Sequence, residues 1–311
     1  MAKKDKTYLR AFTRRISMGG LLCVEWLLGH LPRWCIAALI SPLYYVVYPF
    51  MGRMRAITLT NLRAVYGPAK DELFYQKMTR DCLRRAAGLM IDMIYYVEHP
   101  AELTPRVITH GEERLREALD RGRGVIAVTA HLNNFPLMFV SLIQKGYKIN
   151  VIIRPMRDPE FSKFMFGQCE KWGVHMIPTK PAREFLRETY GALQRKELLF
   201  IVIDEIPPDN AGVPVTFFGK EVKRATGPLL FHRKFGSPVL PMFITQDEQN
   251  RFHVHIEEEI QILEGPAEQT DAPNMNTMNA VIEKYIRFYP EQWGGWFNKR
   301  WSENQRLADS G

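Results

Sequence analysis

The sequence predicts an α/β fold: a largely parallel sheet sandwiched by helices, with an N-terminal hydrophobic helical membrane anchor. Three observations lead there. From Val107 onward, short apolar runs alternate with amphipathic segments. The run Gly124–Ala130 is apolar and rich in β-branched residues, the pattern of a strand buried on both faces. The stretch Trp34–Gly52 contains no charged residue. The chain thus divides into residues 1–66, a basic N terminus with hydrophobic anchoring helices, and residues 67–311, the α/β domain.

Residues 1–15 carry Lys3, Lys4, Lys6, Arg10, Arg14 and Arg15, and the apolar run Ile16–His30 follows, interrupted by Glu25 and stopped by Pro32. No small-residue cleavage site follows that run, which argues against a signal peptide. The second run, Trp34–Gly52, is near the lower length limit for crossing a bilayer and contains Pro42 and Pro49. Arg33 precedes it and Arg53, Arg55 and Arg63 follow it, so the basic flanks give no orientation. They suit a hairpin or interfacial anchor that dips into the membrane and returns. A long buried helix of a soluble domain is the alternative.

Met54–Tyr66 then reads as a basic amphipathic helix, and Lys70–Tyr96 as a longer one with Met78, Cys82, Ala86 and Met90 on one face. Pro100 and Pro105 mark a break. Strands are expected at 124–130, 149–153, 174–177, 198–203, 238–244 and 252–262, the last more alternating, as in an edge or antiparallel strand. Helices are expected around 111–120, 134–145, 158–172, 182–195, 226–235 and 274–288.

Lys and Arg number 42 against 34 Asp and Glu, and the pI is about 9.3. That surplus favours acidic partners: an anionic membrane face or an acidic carrier protein. Nucleic acid ranks last, because no nucleic-acid module accompanies the charge. The four cysteines are scattered without a CxxC pair and read as small buried hydrophobes. His253 and His255 alternate as one strand face does, and no metal site is expected there.

Chemistry-bearing side chains collect at strand ends. His131 closes the run Gly124–Ala130, Arg154 follows Ile149–Ile153, and Asp204 and Glu205 follow Leu198–Ile203. Open α/β sheets bind ligands at the carboxyl ends of their strands, so an imidazole, a guanidinium and a carboxylate pair face one rim. A structural salt bridge from Arg154 to Asp204 or Glu205 is the plainer reading of that cation. A Ser hydrolase is disfavoured, since no Gly-x-Ser-x-Gly elbow is present.

The ordered motifs resemble the bacterial lipid A biosynthesis acyltransferases of the lauroyl/myristoyl type, within the lysophospholipid acyltransferase superfamily. They are Asn61-Leu62, Gly122–His131, Ile153-Arg154-Pro155, Ile203-Asp204-Glu205, Val215–Gly219, Thr226-Gly227-Pro228, Gly236–Pro241, Pro290–Trp293, Trp296 and Arg300-Trp301. The resemblance implies transfer of a fatty acyl chain from acyl-carrier protein, or acyl-CoA, to a hydroxyl of a membrane glycolipid. It implies no cofactor, and a place on the cytoplasmic face of the bacterial inner membrane. His131 would be the general base. Arg154 would bind an anionic acceptor group. Asn134, Phe218 and Gly219 would join the substrate site, the last two in a turn closing its groove. Trp293, Trp296 and Trp301 would rest at the membrane interface or in the core.

The family signature places an acid five residues after the His, and here that position is Pro136. A general base needs a partner to orient it and to stabilise its protonated form. Either Glu205 or Asp204 supplies that partner from the same rim, or the chain works without one. A third alternative is a catalytically degenerate lipid-binding or accessory protein on the same fold.

Overall fold

The computed structural model describes residues 30–154, 162, 166–167, 169–207 and 211–298. The basic segment 1–15, the run Ile16–His30 apart from its last residue, most of the expected helix 158–172 and the Arg300-Trp301 pair lie outside the described residues.

The apolar stretch forms helix α1 (Arg33–Val47) and a 3-10 turn, and α2 (Gly52–Tyr66) follows. Among the described residues no single helix is long and apolar enough to cross a membrane; the two segments form a pair bent by 82°. Trp34, Leu43, Tyr45, Val46, Val47 and Phe50 are exposed on α1 and the turn after it. Helix α3 (Glu72–Glu98) starts at Asp71, whose carboxylate accepts from the Phe74 amide at 2.8 Å. Arg33 ties α1 to α3 through Asp92 at 2.7 Å.

The domain core is a seven-stranded sheet in the order β1-β9-β8-β2-β5-β3-β4. Its strands are β1 (Val107–His110), β2 (Val125–Thr129), β3 (Ile149–Ile153), β4 (Val174–Pro178), β5 (Leu198–Val202), β8 (Val239–Gln246) and β9 (Phe252–Ile256). From β8 to β4 every pairing is parallel; β9 pairs antiparallel with β8, and β1 parallel with β9. Five strands therefore bring their carboxyl ends to one edge. Every residue of β2 and β8 is buried, as central strands covered on both faces require.

Helices α4 (Glu112–Asp120), α5 (Phe135–Gln144), α6 (Ala182–Gln194), α7 (Gly227–Phe235) and α8 (Ala267–Phe288) complete the layers. One core packs Leu137, Met138 and Phe139 of α5 against Val125, Ala127 and Phe200. The other packs Phe231 of α7 and Met278 and Ile282 of α8 against Ile126, Val128 and Leu199. Alternate residues of β2 thus feed opposite cores, the two-residue period of a strand.

Several expectations change. Strand β1 and the hairpin β6 (Val213–Phe217) with β7 (Lys220–Arg224) escaped the sequence reading. β1 is only four residues long, and β7 reads Lys-Glu-Val-Lys-Arg, a charge run with one apolar residue. Strand β9 stops at Ile256 rather than 262. Helix α8 begins at Ala267, upstream of Pro273, which it carries inside. Cys35, Cys82 and Cys169 form no disulfide.

Candidate active site

Gly122-Arg-Gly124 sets the entry to β2. Gly124 has φ +65°, and a Cβ there would lie 3.0 Å from the Leu193 backbone, so only glycine fits. The strand runs to Thr129, and His131 emerges at the rim. The turn into α5 uses Asn133 at φ 48°, a left-handed conformation that Asn tolerates better than most residues. Phe135 and Pro136 open α5, where a missing N–H costs nothing because no helical acceptor precedes it. That is how a proline is accommodated five residues after His131.

Sheet order then assembles the site. Strand β5 lies between β2 and β3, and Thr129 is in register with Val202. Two residues beyond that pair, His131 and Asp204 face one another: Nδ1 of His131 is 2.8 Å from Oδ1 of Asp204. Asp204 is wholly buried, while the imidazole keeps one-third of its side-chain surface exposed. The other carboxylate oxygen, Oδ2, accepts from the Trp293 indole N–H at 2.8 Å. With Asp204 accepting from Nδ1–H, the tautomer leaves Nε2 as the basic nitrogen. Glu205 Oε1 lies 3.8 Å from Nε2, and its other oxygen takes a 3.3 Å ion pair from Arg154 at the end of β3. Strand alternation explains why neighbouring acids take different partners.

His131, Arg154 and Glu205 line a cavity of about 600 Å³ whose other walls are largely apolar. Phe135, Pro136 and Phe139 of α5 face Val151, Val174 and Trp172, and Phe185, Pro228 and Phe231 come from α6 and α7. A ligand-sized volume with apolar walls and a few polar groups at one end is the form of a small-molecule or lipid site. Burial pushes the Cys169 thiol in this wall up to about 11, so at neutral pH it is an S–H group rather than a nucleophilic thiolate.

Other expected site residues take different places. Asn134 does not reach the imidazole: it is buried, and its amide donates to the Leu89 carbonyl at 2.8 Å. Phe218 and Gly219 do form a turn, the tip of the β6–β7 hairpin, yet they do not line the cavity. The Phe218 ring is buried against Trp293 and Trp296, with Arg287 over its face. Thr226 precedes α7 without a side-chain capping bond, whereas Gly227 and Pro228 beside it line the cavity. Trp293 and Trp296 are 1% and 0% exposed, which makes them core residues, not interfacial ones.

The sequence reading missed the supports. Arg224, buried on β7, donates to the Glu205 carbonyl at 3.4 Å. Gln292 is fully committed: Oε1 accepts from Asn133 Nδ2 and the Gln246 amide, and Nε2 donates to the Gln246 carbonyl. Arg224 sits in a charge run, and Gln292 is a polar residue inside the Pro290–Trp293 motif, so neither residue signals its burial locally.

No curated protein matches this sequence. The sequence model for bacterial lipid A biosynthesis acyltransferases, however, matches residues 3–303, nearly the whole of the 311-residue chain. By that match the chain, with its rim of His131, Asp204, Glu205 and Arg154, belongs to the bacterial lipid A biosynthesis acyltransferase family.

Proposed function

We propose that the protein transfers a fatty acyl chain from a thioester donor, acyl-carrier protein or acyl-CoA, to a hydroxyl of a lipid A precursor or related glycolipid, and that His131 is the general base. The observation that carries this reading is the 2.8 Å contact between His131 Nδ1 and the buried Asp204. It supplies from β5 the carboxylate that position 136 lacks. Nε2 takes the proton of the acceptor hydroxyl as its oxygen attacks the thioester carbonyl. The tetrahedral adduct then collapses, the C–S bond breaks, and the imidazolium returns the proton to the departing thiolate. Asp204 orients the ring and stabilises its charged state.

The apolar cavity suits the acyl chain, each buried methylene contributing about 0.8 kcal/mol. Arg154, half exposed at the rim, suits an anionic group of the acceptor, since a guanidinium pairs well with phosphate. The exposed apolar residues of α1, followed by Arg53 and Arg55, support an interfacial seat on an anionic bilayer. That seat would be the cytoplasmic face of the bacterial inner membrane, and the net positive surface would also favour an acidic carrier.

The test is turnover. Full-length protein in detergent, an acyl-carrier-protein thioester and a lipid A precursor are expected to yield the precursor with one more acyl chain, seen by mass spectrometry. His131→Ala is expected to abolish the product. Full activity in that variant would sink the base. Lipid co-purification without turnover would instead support the non-catalytic lipid-binding reading that Pro136 first suggested.

A further inference from the structure

We propose that Trp293 is a positioning residue for the acid of the dyad: its indole N–H fixes Asp204 so that the carboxylate holds the imidazole in line. The inference rests on the reading of His131 as base and goes beyond it to a residue that does not line the cavity.

A carboxylate inside a protein needs donors, and one that must hold a ring in a single orientation needs both oxygens committed. Asp204 has no exposed surface, and its two oxygens are divided: Oδ1 to His131 Nδ1, Oδ2 to Trp293 Nε1, each at 2.8 Å. With the indole bond in place the carboxylate cannot turn about its Cβ–Cγ bond without breaking a buried hydrogen bond. Removing a donor from a buried carboxylate costs part of the stabilisation that offsets its desolvation.

The segment that brings Trp293 is itself locked to the turn that brings His131. Leu132 and Trp293 form an isolated antiparallel bridge, Gly294 N donates to the His131 carbonyl at 2.7 Å, and Asn133 N donates to the Gln292 carbonyl at 2.6 Å. From the far side, Asn61 of α2 donates to the carbonyls of Trp296 and Asn298. The indole therefore reaches Asp204 from a backbone already in register with the base. Its ring packs on Phe217 and Trp296, with centroids 5.7 and 4.7 Å away, so the donor is held rigidly.

Trp293→Phe keeps an aromatic ring and removes the N–H. It is expected to lower kcat about 10- to 100-fold while KM for donor and acceptor stays within about threefold. Without the indole donor, more of the carboxylate's charge acts on the imidazole. The acid limb of the kcat profile should accordingly move to higher pH, which a purely structural loss would not cause. Trp296→Phe is the matched comparison, for it keeps an aromatic ring against Trp293 and removes a buried indole N–H that bonds the Pro290 carbonyl instead of Asp204. It is expected to keep kcat within about threefold. If Trp293→Phe does not fold, benzothienylalanine at position 293 retains the bicyclic shape with sulfur in place of the N–H, and the same results are expected. An unchanged kcat, a pH profile merely scaled down, or an equal fall in both tryptophan variants would overturn the inference. His131→Ala, assayed alongside, separates the two claims. Its inactivity with an unaffected Trp293→Phe overturns the positioning role alone; its full activity overturns the base and the positioning role together.

Discussion

His131 and Asp204 leave adjacent parallel strands at equal distances beyond a register pair, Thr129 with Val202, and meet at 2.8 Å. Parallel pairing continues through Ile203, whose amide donates to the Thr129 carbonyl at 3.0 Å, so the geometry of the dyad is an extension of the sheet ladder.

Asp204→Asn is accordingly expected to reduce kcat by roughly 100-fold or more, because an amide neither stabilises imidazolium nor enforces the Nδ1–H tautomer. Glu205→Gln, which removes a more distant and exposed charge, is expected to cost far less in kcat and to act mainly on acceptor KM through Arg154. Steady-state kinetics on both variants check the ranking. A larger kcat loss in Glu205→Gln would reassign the helper.

The space beside Trp293 allows no side chain at the second residue after it. A Cβ at Gly295 would fall on the indole ring carbons Cε2 and Cζ2. Gly295→Ala should thus displace the indole from Asp204, destabilising the fold by roughly 1–3 kcal/mol and lowering turnover in the surviving folded fraction. Denaturant midpoints measured with activity check both parts.

Val174 stands at the amino end of β4, away from the rim, and lines the cavity. Val174→Phe should shorten the space for an acyl chain. Competition between donors of graded length is expected to move toward shorter chains, by about 10- to 100-fold in relative kcat/KM for the longest donor accepted. An unmoved preference would place the chain elsewhere.

A second cluster gives the fold an acid sensitivity of its own. His255 is held down to about 4 by burial and by the neighbouring His110 and His253, whose rings stack beside it; Glu257 opposes that effect and Lys284 adds to it. The folded state binds a proton at His255 less readily than the unfolded chain does. Its contribution is fully present above the ordinary histidine value of about 6.5 and is lost as pH falls toward 4. Allowing for partial solvent screening, roughly 2 kcal/mol is at stake. The urea midpoint of the wild type should fall between pH 7.5 and pH 5, and that of His255→Gln should fall much less.

Much of this was legible in the sequence because buried parallel strands announce themselves as apolar runs. Those runs located β2, β3, β5 and β8, and with them the ends that carry His131, Arg154 and Asp204. What the residues could not say was strand order. Only when β5 lies between β2 and β3 does the choice between Asp204 and Glu205 resolve, with alternation sending one acid to the imidazole and the other toward Arg154. The indole of Trp293 lies 89 residues from Asp204 along the chain, and nothing local to either residue records that contact. Asn134, by contrast, looked chemical because it is close to His131 in the sequence, while its amide serves the Leu89 carbonyl.

Pro136 has a wider consequence. With the acid two residues beyond β5, both halves of the dyad hang from adjacent strands of the sheet, and α5 carries no charged residue. That helix contributes only wall: Phe135, Pro136 and Phe139 are apolar surface toward the cavity. In the proposed reaction labour would divide cleanly, the sheet carrying the groups that move the proton and the helix shaping the wall that meets the acyl chain.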